Sequence, residues 1–197
     1  REFIRTFNTP EHRIKECEAL GIQRLLSRAT AENDLLTEHI LKARLIRIFA
    51  VNCEMLLRNM REPFMRALQG GARMELLLAN PDSALVQEME ALEIADGRDP
   101  EERSIPRCIR ESEGALRTLL HEVEQGPGSI WLGHYGTHYR ETLILCDSDW
   151  AWWTPHFNPV RGDERPTILA EGENSKLVRL CVRHFEAVKR ACGVAQL

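Results

Sequence analysis

The sequence lacks the features that mark several large classes of protein. It contains no apolar run long enough to cross a membrane and no secretory hydrophobic segment near its start, so we expect a cytoplasmic protein without a membrane partner. It also lacks an excess of positive charge, because 26 basic and 30 acidic residues leave a net charge of −4. This balance argues against strong non-specific binding to nucleic acid, although it is compatible with a local basic patch.

No two of the six cysteines form a C-x-x-C pair, so the sequence shows no clustered set of zinc ligands. Most of them fall at apolar positions of predicted helices or strands. The cysteines are Cys17, Cys53, Cys108, Cys146, Cys181 and Cys192. This pattern is typical of buried, reduced thiols in a cytosolic protein, and we expect neither a metal nor another cofactor.

What the chain does contain is an ordinary globular composition, with 43% hydrophobic and 28% charged residues in 197 positions. This length suits one domain with a substantial core. The first residue is Arg1 rather than a methionine, so we expect a piece of a longer protein that has other domains.

Hydrophobic periodicity predicts a helical lead-in, a βαβα unit, a long helix, a region of three short strands and a closing helix. These elements cover residues 9–43, 44–95, 100–125, 129–158 and 173–192 of a single domain spanning 1–197. The apolar face of the first helix is predicted to include Ile22, Leu25 and Leu26. Residues 158–172 are rich in proline and charge and are predicted to form a loop.

Two short apolar runs predict a parallel pair of strands. Leu45–Val51 is dense in apolar and β-branched residues, and Arg73–Ala79 follows a helix that ends at Gly70 and Gly71. A strand–helix–strand unit of this kind implies a right-handed crossover. The pattern therefore indicates an α/β domain.

The most informative segment of the chain runs from Ile130 to Pro159. It contains three histidines, two aspartates and an arginine beside a group of tryptophans. Trp150 and Trp152 are predicted to share one face of a strand, with Trp153 on the other, because side chains alternate along a strand. Such an aromatic face can stack a base, but we favour packing in the core or against a second subunit.

This segment resembles the active-site strand pair of the phospholipase D superfamily, whose signature is H-x-K-x-x-x-x-D followed by G-S-x-N. Three further sequence segments resemble a bacterial single-repeat branch of that superfamily, namely ILKARLIRIFAVN, MREPFMRALQGGARMELLLANPDS and LVRLCVRHFEAV. The resemblance covers the chain from about Cys17 onward. It implies a phospholipase D-like α/β fold, in which helices flank both faces of a central mixed β-sheet.

The resemblance also implies a mechanism and an assembly. In active members a histidine attacks phosphorus to form a phosphohistidine, and a second histidine protonates the leaving oxygen. Lysines and the polar residues of G-S-x-N bind the phosphate oxygens. Because one motif comes from each of two repeats or two subunits, a single-repeat chain is expected to form a homodimer, and the reaction needs no metal.

The signature is degenerate here and can be placed in two ways, which makes His138, Arg140 and Asp147 the catalytic candidates. If His138 is the nucleophile, Arg140 takes the lysine position and Asp147 lies two residues late. If Asp147 is the signature aspartate, Arg140 takes the histidine position and Thr142 the lysine position, so the nucleophile is absent. The second placement fits the strand pattern better, whereas a two-residue bulge would restore the first.

Further polar residues surround the motif or follow the first central strand, at the sheet edge where α/β proteins usually bind ligands. The predicted ligand-binding residues are His134, Thr142, His156, Asn158, Asn52 and Glu54. The histidines among them can also serve only to hydrogen-bond the backbone or to end a strand.

Three functions fit these observations. The leading one is a sensing and interaction module, attached to other domains, that binds a phosphate-containing ligand or a protein partner near His138, Arg140, Asp147 and Asn158. The second is an active phosphodiesterase or nuclease, such as a bacterial defence effector, in which two His138 residues meet across a homodimer. The third is a structural dimerisation domain, for which Trp152→Ala should break the dimer.

Overall fold

The computed structural model describes residues 10–28, 33–97, 99, 104–123, 126–137, 141–156, 165–192 and 194–195. The helices found there are α1 Pro10–Leu20, α2 Asn33–Lys42, α3 Glu54–Asn59, α4 Arg61–Gln69, α5 Ala84–Ala95, α6 Ile105–Glu122 and α7 Lys176–Ala191. The strands are β1 Ile22–Leu26, β2 Leu45–Ala50, β3 Arg73–Ala79, β4 Ser129–Tyr135, β5 Glu141–Cys146, β6 Trp150–Pro155, β7 Thr167–Glu171 and β8 Val194–Ala195.

These strands form one eight-stranded sheet in the order β1-β7-β6-β5-β2-β3-β4-β8. β2, β3 and β4 run parallel, and all other neighbouring pairs are antiparallel. β2 and β3 are almost entirely buried, which is why they read as continuous apolar runs. The predicted α/β fold with a central mixed sheet is confirmed.

Helices cover both faces of the sheet. The α7 face carries Phe49, whose ring meets the ring of His184 on α7 edge-on, with centroids 5.4 Å apart. The opposite face, called the α6 face below, carries Trp150, which stacks on His39 of α2 with centroids 4.2 Å apart. On that side α4 packs against both α2 and α6. The predicted flanking of both faces is therefore confirmed.

One edge of the sheet differs from the predictions. Residues 22–26 form β1 rather than extending the first helix, because Gly21, with a φ of 74°, ends α1 and turns the chain. A Cβ at Gly21 would lie 2.3 Å from Ser175 Oγ, so only glycine fits this turn. β1 pairs with β7, which lies within the segment predicted to be a loop. β1 forms through a partner distant in sequence, which local patterns do not reveal, whereas β7 also pairs with the nearby β6.

The predicted parallel unit is present, with Ile46 opposite Met74. The connection between β2 and β3 contains two helices rather than one, because α3 ends and α4 begins around Met60. Pro63 lies in the first turn of α4, where a missing backbone N–H removes no helical hydrogen bond. Pro63 therefore occupies a helix start and does not kink a longer helix.

The tryptophans of β6 divide as predicted. Trp150 and Trp152 lie on the same face, with ring centroids 6.1 Å apart, and are only 2% and 3% exposed. Trp153 points to the α7 face and is half-buried. Trp152 lies in the core of the folded chain, which is one of the two predicted alternatives; the other, a contact with a second subunit, is not where this buried side chain lies.

A buried ion cluster interrupts the apolar centre of the sheet. Glu75 on β3, whose side chain is 4% exposed, lies 2.7 Å from Lys189 Nζ and 2.7 Å from Arg73 Nη2. Arg47, its neighbour on β2, contacts Glu186 of α7 at 3.3 Å. The cluster ties β2 and β3 to α7.

The cysteines are all free, and Cys53, Cys108, Cys146 and Cys181 are buried. Burial raises the pKa of Cys53 to about 12, so its thiol stays protonated. The predicted reduced thiols are thus present. Within the described ranges, none of the helices has the length and apolar character needed to span a membrane.

Candidate functional site

Two of the predicted ligand-binding residues meet at one end of the sheet. Thr142, near the start of β5, pairs with Thr154 on β6, and His156 follows directly after β6. The Oγ1 atom of Thr142 lies 3.0 Å from the Nε2 atom of His156. Beside Thr142 on the neighbouring strand, Thr154 Oγ1 lies 2.8 Å from Thr167 Oγ1, and both of these side chains are buried. We call these four residues the threonine–histidine cluster.

The cluster lies where ligands usually bind in an α/β sheet. β5 runs antiparallel to β2, with Leu143 opposite Phe49, so the start of β5 is next to the end of β2. The carboxyl ends of β2, β3 and β4 therefore lie at the same end of the sheet as Thr142 and His156. Thr142 and His156 are half-buried, which leaves them within reach of a ligand.

His134, at the end of β4, has a different partner. Its Nε2 atom lies 2.9 Å from Glu113 Oε1 on α6, and the two side chains are 25% and 15% exposed. Arg117 lies 3.9 Å from the other oxygen of the same carboxylate. Sequence reasoning missed Glu113, because it lies in a helix among several exposed charges and nothing in its spacing distinguishes it.

The His134–Glu113 pair is separate from the threonine–histidine cluster. His134 lies opposite Leu78, which lies opposite Ala50, and Ala50 is next to Thr142 across β2 and β5. Because neighbouring strands are about 4.8 Å apart, three strand spacings put about 14 Å between the two pairs. The predicted ligand-binding residues therefore do not form a single pocket.

Asp147 lies at the opposite end of β5. Its Oδ1 atom accepts hydrogen bonds from the backbone N–H groups of Arg44 at 3.1 Å and Leu45 at 2.9 Å. Its carbonyl oxygen accepts a hydrogen bond from Arg47 Nη1 at 2.7 Å. At about 3.4 Å per residue, five residues of extended strand place it about 17 Å from Thr142. In this structure Asp147 binds the start of β2 rather than joining the threonine–histidine cluster.

No protein-family model matches the sequence, and a search of the curated proteins finds no match. Similarity is found among solved structures. NucT from Helicobacter pylori has a TM-score of 0.51 at 9% identity, over 87% of this chain and 98% of NucT. Phosphatidylserine synthase from Haemophilus influenzae Rd KW20 has a TM-score of 0.54 at 14% identity, over 87% of this chain and 39% of the synthase. The chain has a phospholipase D-like fold.

A third similar structure belongs to a DNA-binding protein. TrmBL2, an archaeal chromatin protein, has a TM-score of 0.51 at 11% identity, over 98% of this chain and 64% of its own. The chain thus spans less than two thirds of TrmBL2 and of the synthase, whereas it spans nearly all of NucT. At these identities the similarity concerns the fold.

Glu54 and Asn52 lie beside β2 in this phospholipase D-like domain. Asn52 is half-buried after the strand. Glu54 begins α3, forms an ion pair with Arg58, and lines a cleft of about 320 Å³ between α3 and α6. It therefore faces α6 and not the threonine–histidine cluster.

One group of metal-ligand side chains occurs in the described part of the domain. A carboxylate oxygen of Glu54, the Sγ atom of Cys108 and a carboxylate oxygen of Glu111 all lie within 4.8 Å of one another. Arg58 pairs with Glu54, and Arg107 pairs with Glu111 at 2.7 Å. Because arginines neutralise both carboxylates, we assign no metal to this group.

The remaining predicted site residues, His138, Arg140 and Asn158, lie outside the described residues. Tyr135, the last residue of β4, is 2% exposed and stacks on Phe49 with ring centroids 4.5 Å apart. Burial raises the pKa of the Tyr135 phenol well above its ordinary value, and the nearby Glu141 carboxylate raises it further. Tyr135 therefore stays protonated and cannot serve as a base at neutral pH.

Proposed function

We propose that this phospholipase D-like domain is a sensing and interaction module that binds a phosphate-containing ligand at the threonine–histidine cluster without hydrolysing it. The observation that carries the proposal is the 3.0 Å contact between Thr142 Oγ1 and His156 Nε2 at the carboxyl end of β2, β3 and β4. Hydroxyl and imidazole groups can both donate hydrogen bonds to phosphate oxygens. Their half-buried position supports recognition of one phosphate group.

The second placement of the signature supports binding rather than catalysis. β5 ends at Cys146 and Asp147 follows it directly, in agreement with that placement. Thr142 then stands where the superfamily signature has lysine, and Arg140 where it has the nucleophilic histidine. A hydroxyl donates a hydrogen bond but supplies no positive charge to a developing phosphorane, and a guanidinium is not a nucleophile.

Nucleic acid is the class of phosphate-containing ligand that we favour. TrmBL2, whose fold is similar over 98% of this chain, is a DNA-binding chromatin protein. The net charge of −4 argues against a broad basic surface, so recognition would depend on a local site such as the threonine–histidine cluster.

The test is binding of a short single-stranded DNA, measured by isothermal titration calorimetry at fixed salt. Thr142→Val and His156→Ala are each expected to weaken binding at least tenfold. Thr118→Val is the matched control, because Thr118 is an exposed threonine on α6 whose hydroxyl donates a hydrogen bond to the Gly114 carbonyl of the same helix. Equal affinity in all four proteins would rule out the threonine–histidine cluster as the binding site.

The alternative is a metal-independent phosphodiesterase or nuclease with a site shared across a homodimer, and its nucleophile would be His138. Hydrolysis of bis(4-nitrophenyl) phosphate and of single-stranded DNA in EDTA separates the two functions. Turnover by the wild type that is lost in His138→Ala would replace the binding proposal with the enzyme. Ligand binding without turnover would support the binding module.

We also propose a homodimer in the cytoplasm. The free cysteines support the reducing compartment. The single-repeat length supports the dimer, because the superfamily builds each site from two motifs. Sedimentation velocity across a hundredfold range of concentration tests the dimer, and a constant monomer mass would exclude it.

The third function is a purely structural dimerisation domain. The contact proposed for it was Trp152, and this side chain is buried in the core, so it cannot supply a subunit contact.

A further inference from the structure

A second cleft lies on the α7 face, opposite to the threonine–histidine cluster. It has a volume of about 320 Å³ and opens between α7 and strands β5 and β6. Leu143 of β5 and Leu180 and Cys181 of α7 form apolar walls. Leu180 is 41% exposed and Leu143 is buried, so the walls reach from solvent into the core. An apolar group that enters the cleft would be removed from water.

One end of the cleft is polar and centres on Glu141, whose side chain is 17% exposed. Its Oε2 atom accepts a hydrogen bond from Trp153 Nε1 at 2.6 Å. Its Oε1 atom lies 3.1 Å from His184 Nε2, and the His184 ring is held edge-on against Phe49. These contacts fix the carboxylate in place. Each carboxylate oxygen has two lone pairs, so capacity for a further donor remains.

The charge of the cleft is negative and comes from the Glu141 carboxylate. None of the lining residues in the described part of the chain is a lysine or an arginine. Burial, reinforced by the Glu141 carboxylate, raises the pKa of Cys181 to about 12, so this thiol is uncharged at neutral pH. Removing a carboxylate from water is costly unless a cation or several hydrogen-bond donors accompany it. A cationic group on a ligand would complement Glu141.

We propose that this cleft binds a small amphiphilic amine, in which an ammonium group is attached to a short apolar body. The ammonium group donates hydrogen bonds to the Glu141 carboxylate and lies against the indole of Trp153, whose π face attracts cations. The apolar body packs against Leu143 and Leu180. An alcohol of the same size lacks the charge that complements Glu141, and a carboxylate would be repelled by it.

This site is independent of the proposed phosphate site. Glu141 and Thr142 are adjacent on β5, as Trp153 and Thr154 are on β6, and adjacent side chains point to opposite faces of the sheet. Amine binding can therefore be measured without phosphate, and either proposal can fail while the other stands.

The test uses the indole N–H signals in a ¹H–¹⁵N NMR spectrum. The chain has four tryptophans, and the signal that disappears in Trp153→Phe belongs to Trp153. Titration with n-hexylamine should move that signal progressively and to saturation, and more than the other three. n-Hexanol and hexanoate, at the same concentrations, should each bind at least tenfold more weakly.

Two variants test the chemistry of the site. Glu141→Gln keeps the shape of the side chain and an acceptor for Trp153, and it should weaken hexylamine binding at least tenfold while leaving hexanol unaffected. Leu180→Lys, at an exposed position, places a competing ammonium at the mouth and should abolish hexylamine binding. Glu171→Gln, at the exposed end of β7, is the control and should bind hexylamine as the wild type does.

Three results would overturn the proposal. One is equal affinity for hexylamine and hexanol, which would mean that the cleft accepts apolar chains without recognising charge. Another is unchanged hexylamine affinity in Glu141→Gln with folding confirmed by the spectrum. The third is the absence of any saturable shift of the Trp153 signal.

Discussion

The carboxylate of Asp147 accepts a hydrogen bond from the backbone N–H of Leu45 at 2.9 Å, which joins the turn after β5 to the start of β2. The backbone of Asp147 completes the link, because its N–H donates to the Leu45 carbonyl at 2.7 Å. Asp147 also has a φ of 54°, the left-handed conformation that aspartate and asparagine tolerate better than most residues. One side chain therefore positions the central strand relative to its antiparallel neighbour.

We expect Asp147→Ala to lower the free energy of unfolding by about 2 kcal/mol, because two backbone donors lose their acceptor and alanine is strained at positive φ. Asp147→Asn should lower the free energy of unfolding by a smaller amount, since asparagine tolerates a positive φ and keeps a carbonyl acceptor. Urea unfolding measures both values. If Asp147→Ala abolished DNA binding while the unfolding midpoint stayed unchanged, Asp147 would have a direct role at a ligand.

Trp152→Ala should destabilise the fold by about 3–5 kcal/mol, because it removes a large side chain from the core and leaves a cavity. Trp153→Ala should cost less, since Trp153 is only half-buried. Thermal and urea unfolding give the two values. A Trp152→Ala protein with unchanged stability and an altered sedimentation coefficient would instead place this residue at a subunit interface.

Glu75→Gln should destabilise the domain by about 3 kcal/mol, because it leaves the buried Arg47 and the largely buried Lys189 without their shared carboxylate. The comparison variant is Glu38→Gln, which breaks the exposed pair between Glu38 and Lys42 and should lower the free energy of unfolding far less than Glu75→Gln does, because solvent screens this pair. Urea unfolding at low and high salt distinguishes them, and equal losses would show that burial does not govern the Glu75 cluster.

Acidification should weaken the fold through His39. Desolvation by burial, against Trp150, lowers the pKa of this histidine in the folded state. A lowered pKa means that the unfolded chain binds the proton more readily than the folded one. His39 therefore contributes fully to the free energy of unfolding above about pH 6.5, and this contribution is lost as the pH falls below that value.

The variant that tests this pH dependence is His39→Phe, which keeps a ring against Trp150 and removes the titrating group. The free energy of unfolding, measured from pH 7.5 to 5, should fall less steeply in His39→Phe than in the wild type. Parallel curves for the two proteins would contradict a role for His39.

Local sequence patterns were sufficient to predict the central strands of the sheet. β2 and β3 are short apolar runs buried on both sides, and Ser83 and Ser175 accept hydrogen bonds from the first turns of the helices that follow them. These signals are local, so each could be read from a few neighbouring residues. β1 was not predicted because it depends on pairing with β7 across most of the chain, and β7 was not predicted because it lies between β1 and β6 in a segment rich in proline and charge.

The candidate site residues show the same division between what local sequence predicts and what the tertiary structure decides. The sequence by itself determined that a threonine and a histidine lie in or beside the segment that resembles the phospholipase D signature, because residue identity and spacing are local properties. Only the tertiary structure decided that Thr142 meets His156, that His134 meets Glu113, and that Asp147 lies at the far end of β5. The physical reason is that these contacts depend on strand register and on helix packing, which are set by the burial of the whole core.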